Sequence, residues 1–420
     1  MTVRSNTYAL SGTLRVALNT AGLVAASTTG TADDRAVTLV FDEEVTLANG
    51  ESVRVMIPVR PVESDNNFTI EVKSYVSGQS ISYLSSKTQT SGSNHSLARN
   101  QLGYAPMDIP VATETTVPVV PYNSSTFKYE IHSSLDFVKM TEAINNEWLS
   151  NDAIYQLMND IDMSGSSIET IDNELFGGKI LGNNHTISNL TINGIQDVNN
   201  AYCGLFKMLR PQAVIQNITF ENLSLANENV DSKTLYVGAI EACNPNSSNY
   251  TKTFSNCTIN IGRFNDGGAT GTVFFGGLIG CLNDATPVNI SRCHVTTPAI
   301  NLIRCTTTRL GGMIGQNSGS ELTRIENSSW TGAGTTTIKS SNVYAGGLIG
   351  QKGTGRFIAA NSTVTGRMEV ISSDYHYIGS LIGHLNAMAP YDVDGGNNTT
   401  GFSAFLNGDE INPVKKIGNR

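Results

Sequence analysis

Asp160 and Asp162 alternate along one short segment, so on a strand they share a face. Two carboxylates on one face are the minimum for cleaving a glycosidic bond, because an acid and a base must flank it. The other acids are scattered. Cys293 and His294 are chain neighbours; in a strand they point to opposite faces and cannot act as a dyad. None of the six cysteines (Cys203, Cys243, Cys257, Cys281, Cys293, Cys305) belongs to a CxxC pair, which argues against zinc and for buried thiols. The stretch DVDGG at 392–396 opens like a calcium loop but lacks the glycine at the sixth place and the closing Glu. His95 stands alone in a Ser/Asn-rich stretch and reads as a solvated loop residue. The expectation is no catalytic residues, no metal and no cofactor.

The elements that must position these residues are repeats. One motif reads CGLF at 203–206, VGAI at 237–240, GGLI at 276–279, GGMI at 311–314, GGLI at 346–349 and GSLI at 379–382. Aligned on the second residue, its spacings are 34, 39, 35, 35 and 33. A second track, NLTI at 189, NITF at 217, NCTI at 256, RCHV at 292, NSSW at 327 and NSTV at 361, has spacings of 28, 39, 36, 35 and 34. Two tracks with one period predict a solenoid, since each repeat cannot bury its inner face alone. With about three short strands per repeat, the expected architecture is a right-handed parallel β-helix, three-sided, of about six rungs. Ile279, Ile314, Ile349 and Ile382 should then form a ladder, and Cys257 and Cys293 an inward stack ~4.8 Å apart, within geometric reach of a disulfide. The Gly-Gly pairs read as repeating corners, since no GxxxxGK[ST] motif is present. Asn183 and Asn184 read as a turn with φ > 0. The many Asn-x-Ser/Thr triplets are assigned no glycans.

At the start of the array, Ser133 or Ser134 can cap a helix carrying Leu135, Val138, Ile144 and Trp148, expected to lie across the first rung. The tail beyond Pro390 should cover the other end. The N-terminal part differs. Val37, Leu39 and Phe41 alternate with polar residues, as do Val53, Val55, Ile57 and Val59 after Asn49-Gly50, a strong hairpin signal. One buried and one wet face per sheet predicts a β-sandwich over residues 1–110. Residues 111–126 carry Pro118 and Pro121 without periodicity and read as a linker. The whole chain is thus expected to be all-β: a sandwich at 1–110, a linker at 111–126, a β-helix at 127–390 and a cap at 391–420.

The bulk numbers agree. Apolar residues are 39% and charged residues only 15% of the 420, with 40 glycines, which suits many short strands and turns rather than disorder. The net charge is −9 with no basic run, which disfavours nucleic acid. No stretch approaches 18 consecutive apolar residues, so no membrane span is expected. No signal segment is visible either, which is read as removal before maturity.

The segments YQLMNDIDMSG (155–165), ILGNNHTISNLTING (180–194), CGLF (203–206) and AVIQNITFENL (213–223) resemble, in order, the opening rungs of GLUG-repeat proteins. The resemblance spans residues 127 to about 385. It implies an extracellular bacterial surface protein in which the repeat serves as scaffold or adhesion module, and it makes NDIDMSG ordinary rung sequence. The N-terminal hairpin segment and the run SNHSLARNQLGYAPMDIP (93–110) resemble the fimbrillin family, surface adhesins and pilus subunits of Bacteroides-like bacteria, without that family's lipoprotein cysteine.

The expected function is therefore a non-enzymatic adhesin or fimbria-associated binding module on a bacterial surface. Its partner would be a host or microbial glycan or a surface protein, pilus subunits included. The rival is a β-helix carbohydrate-active enzyme, a polysaccharide lyase or glycoside hydrolase. The candidate binding surface is a column three residues before the aligned motif position: Phe274, Arg309, Tyr344 and Tyr377. Its strand neighbours Phe275, Leu310, Ala345 and Ile378 are all apolar and suit the interior, which places the column outside.

Overall fold

The structure is a computed structural model. It describes residues 120–418 except 124–125, 127, 147–148, 150, 175, 245–250, 284–285, 387–388 and 413, and before these only the backbone of a few strands. The chain divides into two compact units, Met1–Val119 and Val120–Arg420. In the first, Thr2–Ser5 pairs antiparallel with Ala36–Thr38 and Val62–Tyr75, and Val62–Tyr75 with Ile81–Leu97. Leu18–Asn19 pairs antiparallel with Gly22–Leu23, and the Asn49-Gly50 hairpin lies outside the described residues.

The second unit is all-β apart from one helix, a parallel β-solenoid of about six turns. The turn from residue 323 illustrates its construction. Thr323–Glu326 pairs in parallel with Phe357–Ala360, and Ser329–Gly346 pairs with Thr363–Gly379 through two register shifts. Ile349–Lys352 pairs with Ile382–Leu385. The shifts cut the long strand into three, so each such turn has five hydrogen-bonded segments rather than the three expected from sequence. Two kinds of bend account for the difference. Asn184, Asn217, Asn256, Arg292, Asn327 and Asn361 all have φ between 50° and 65°, a left-handed kink that turns the chain without breaking the ladder. The glycine corner does the same on the other side.

Leu278 N donates to Met313 O and Met313 N to Leu348 O, each at 3.0 Å, so the motif residues occupy adjacent turns. Two registers differ from the sequence alignment. Gly238 pairs with Gly276, not Gly277, and Glu241 rather than Ile240 pairs with Ile279. Likewise His185 pairs with Ile218, so Asn184 heads the asparagine column, and the first spacing is 33 residues rather than 28. Asn189 belongs to a second, shorter column, where Asn222 Nδ2 donates to its Oδ1 at 2.8 Å. Asn183 and Asn184 do occupy a positive-φ bulge, at 53° and 65°.

The inner ladder runs Ile171, Phe206, Glu241, Ile279, Ile314, Ile349, Ile382 and Ile417. Its charged member is fully buried and paired: Lys252 Nζ lies 2.7 Å from Glu241 Oε1, both side chains at 0% exposure. The same oxygen accepts from Leu209 N at 2.9 Å. A second buried lysine, Lys352, donates to Gly319 O at 2.9 Å. Burial pushes its pKa down to about 8.

The helix spans Ser134–Asn145, and Ser133 Oγ accepts from Asp136 N at its start. Its buried face is Phe137, Met140, Ala143 and Ile144, which join the solenoid core; Leu135, expected on that face, is 60% exposed. Beyond residue 390 the tail covers the preceding turn by pairing on it: Tyr391–Gly395 on Phe357–Ala360 and Asn398–Leu406 on Thr363–Gly379. Among the described residues no helix is long and apolar enough to cross a membrane.

Candidate ligand-binding groove

The glycine corner shapes the outer surface. A Cβ on Gly276, Gly311, Gly346 or Gly379 would stand 1.9–2.1 Å from the carbonyl oxygen of Ile279, Ile314, Ile349 or Ile382. Only glycine admits so close a backbone approach. The bend is re-entrant, so outward side chains on the strands before and after it converge: Phe274 and Cys281 join Cys243, Tyr202 and Tyr236 in a small cluster separate from the main core. The result is a shallow seam, the groove, where two columns of side chains meet along the solenoid axis.

Phe274, Arg309, Tyr344 and Tyr377 stand in successive turns along one wall, each paired in register with the next. Two further members precede them, Tyr202 and Tyr236. Ring centroids are 5.4 Å apart for Tyr202–Tyr236, 4.8 Å for Tyr236–Phe274 and 5.4 Å for Tyr344–Tyr377, with planes within 11°. Arg309 fills the gap, its Cζ 4.9 Å from the Phe274 centroid and 5.1 Å from that of Tyr344, both cation–π distances. Phe274 is buried, and the other five members are half-buried. Phe275, Leu310, Ala345 and Ile378 face inward and are buried.

The opposite wall is the column Cys243, Cys281, Gln316, Gln351 and His384. Gln351 Oε1 accepts from Arg309 Nε at 2.5 Å. Gln316 Nε2 is held by Asn283 Oδ1 and Ser318 Oγ. The His384 ring packs edge-on against Tyr344 and Tyr377, and its Nδ1 is buried without a hydrogen bond among the described residues. Burial first, and then the charge of Arg309, lower its pKa. At the first end Lys207 lies 5.1 Å over the Tyr202 ring and pairs with Asp172 and Glu174. Burial, then the Asp197 charge, push the Tyr202 phenol up to about 12.

The other sequence candidates do not gather into a site. Asp160 accepts from Thr186 N and His185 Nδ1, and Asp162 from Ser164 N, Ser164 Oγ and Asn189 Nδ2. These bonds hold both carboxyls below their usual range, so they are ionised and serve their turns. Cys293 is buried while His294 is exposed and bonded to Ser329 Oγ, as strand alternation requires. Cys257 and Cys293 are buried free thiols in adjacent turns. Asp394 pairs with Lys416 at 3.0 Å, and among the described residues no three His, Cys, Asp or Glu side chains gather as metal ligands. The His95 side chain is outside the described residues.

Tyr202 and Tyr236 escape a search three residues before the aligned glycine, because the alignment is one residue out in their turns. Counted from the glycine that pairs structurally, Tyr202, Tyr236 and Phe274 all stand two residues before it.

No family model matches the chain. It is similar to halomucin of Haloquadratum walsbyi, 31% identical in an alignment 244 positions long that covers 48% of this chain. The matched part spans 3% of the halomucin length. No solved structure matches.

Proposed function

We propose that this chain is a non-enzymatic binding module of a bacterial cell surface, an adhesin or fimbria-associated protein, and that the groove beside the glycine corner holds its partner. The observation that carries this reading is the ladder itself. Six consecutive turns place a ring or a guanidinium outside the main core, stacked in register, with the amides of Gln316 and Gln351 in the facing column. Ring edges and phenol hydroxyls half open to water suit the rim of a sugar, and the glutamines opposite suit its hydroxyls. The partner is a host or microbial glycan or a glycan-bearing surface protein, with pilus subunits as neighbours in the assembly.

The resemblance to GLUG-repeat and fimbrillin proteins supports an extracellular site of action, and so does the partial similarity to a protein named as a mucin. In this reading the coil is right-handed, the Ser134–Asn145 helix closes the first turn, and residues 1–110 form a fimbrillin-like sandwich. The test is adhesion of protein-coated beads to glycan-bearing cells. Tyr344→Ala with Tyr377→Ala should abolish adhesion while the circular dichroism spectrum is kept; unchanged adhesion removes the groove from the function. Release of reducing sugar from the same glycans would favour the enzyme reading instead.

A further inference from the structure

We infer that the groove selects an acidic glycan, one bearing uronate carboxylates or sulfate esters, and that Arg309 takes the anion. The inference rests on the binding reading above and gives the ligand its chemical class. In a column otherwise made of rings, Arg309 is the one member with a charge, and it stands between Phe274 and Tyr344. Stacking on both rings fixes the guanidinium, and Gln351 takes its Nε. Neither terminal nitrogen has a hydrogen-bond partner, and no carboxylate lies within ion-pair distance, among the described residues.

Several other cations are matched, although among the described residues the buried Lys352 and the half-buried Lys128, Lys139 and Lys233 also lack an ion-paired acid. Arg304, Arg324, Arg367 and Lys416 each pair with an acid, and Lys207, at the end of the same groove, pairs with two. Arg263, Arg292 and Arg356 also lack an acid but are exposed to water. Among the arginines named here Arg309 is the half-buried one without an acid, in a chain with 36 acidic residues against 27 basic. A partly desolvated cation without a counter-ion is costly, so an anion brought by a ligand gains where a neutral ligand does not. The planar fork matches a carboxylate or sulfate. A sugar lying along the exposed edge of Tyr344 brings its acidic substituent within one rung step, ~4.8 Å, of that fork.

The test uses the full chain and three oligosaccharides of equal length, measured by calorimetry: an oligogalacturonate, a heparin-derived oligomer and a neutral cello-oligomer. The variants are Arg309→Tyr, which continues the ladder without charge, and Arg309→Lys, which keeps charge without the fork. The parent should bind at least one acidic oligomer roughly tenfold or more tighter than the neutral one, less so at high salt. Which acidic oligomer binds tells uronate from sulfate. Arg309→Tyr should erase the preference; Arg309→Lys should retain part of it. Equal binding of neutral and acidic oligomers by the parent, or an unchanged preference in Arg309→Tyr, overturns the inference and leaves the glycan-binding reading standing. Binding of none of the three overturns both.

Discussion

The Glu241–Lys252 pair sits where the ladder otherwise carries Ile and Phe, and that placement fixes what its removal should cost. Both side chains are fully buried and the pair is 2.7 Å apart. Glu241→Ile continues the ladder but strands the Lys252 ammonium in the core. Removing one partner of a buried pair typically costs about 3–5 kcal/mol, because the other charge is left uncompensated. Lys252→Met strands the carboxylate at a similar cost. In the double variant no charge is stranded. The apolar replacement is worth about 0–4 kcal/mol, against about 1–3 kcal/mol for Leu209 N losing this acceptor. The double variant should therefore fall within about 2 kcal/mol of the parent, and the coupling energy should be at least about 4 kcal/mol. Urea denaturation followed by far-ultraviolet circular dichroism at pH 7 measures all four proteins. Single variants that each lose under about 1 kcal/mol, or a double variant as destabilised as the sum of the two, would refute the claim that the core holds these charges only as a pair.

Three other outcomes follow from the geometry. Burial lowers Lys352 to about 8 from an ordinary 10.5, so between those values the unfolded chain is protonated at this site and the folded chain is not. Stability from this site must then rise with pH across that window, by about 3 kcal/mol in all. The stability difference between the parent and Lys352→Met, measured by urea denaturation from pH 7.5 to 10.5, should shift by that amount in favour of the parent; parallel profiles refute it. Gly346→Ala places a Cβ 2.1 Å from Ile349 O and should cost about 3 kcal/mol or more in thermal melts. Gly165→Ala, with φ +78° and nothing within 4 Å, should lose only about 1 kcal/mol. Asn327, at φ 51°, should lose about 1–2 kcal/mol on change to Ala and markedly less on change to Gly, in the same melts.

The period of the array was legible because Gly, Asn and the apolar residues each recur for a local reason. Its register was not wholly legible, because letters were matched where backbone geometry rules. VGAI has one glycine where the next three turns have two, and matching it on the wrong one hid both Tyr236 and the burial of Glu241. A lone Glu after an apolar run reads as an outward residue; only the structure brings Lys252, eleven positions on, to its side. Four of the six ladder members could be read from sequence because their strands alternate without interruption before the corner. The five-segment turn could not, since a left-handed asparagine looks the same in sequence whether it ends a strand or merely bends it. The Asn-x-Ser/Thr triplets at 217, 256 and 361 have a structural origin: a kinked Asn, an inward residue (Ile218, Cys257 or Ser362) and an outward Thr.

The re-entrant corner also decides how such a surface can diversify. Each turn delivers one side chain to each wall, and the corner that aims them is set by glycines and backbone alone. A point substitution on a wall therefore rewrites one step of the groove and leaves the aim of its neighbours intact. Duplicating a turn of about 35 residues lengthens the groove by one step without re-solving the core. The outer surface behaves like movable type in a fixed frame, and Arg309 is a single character set among rings.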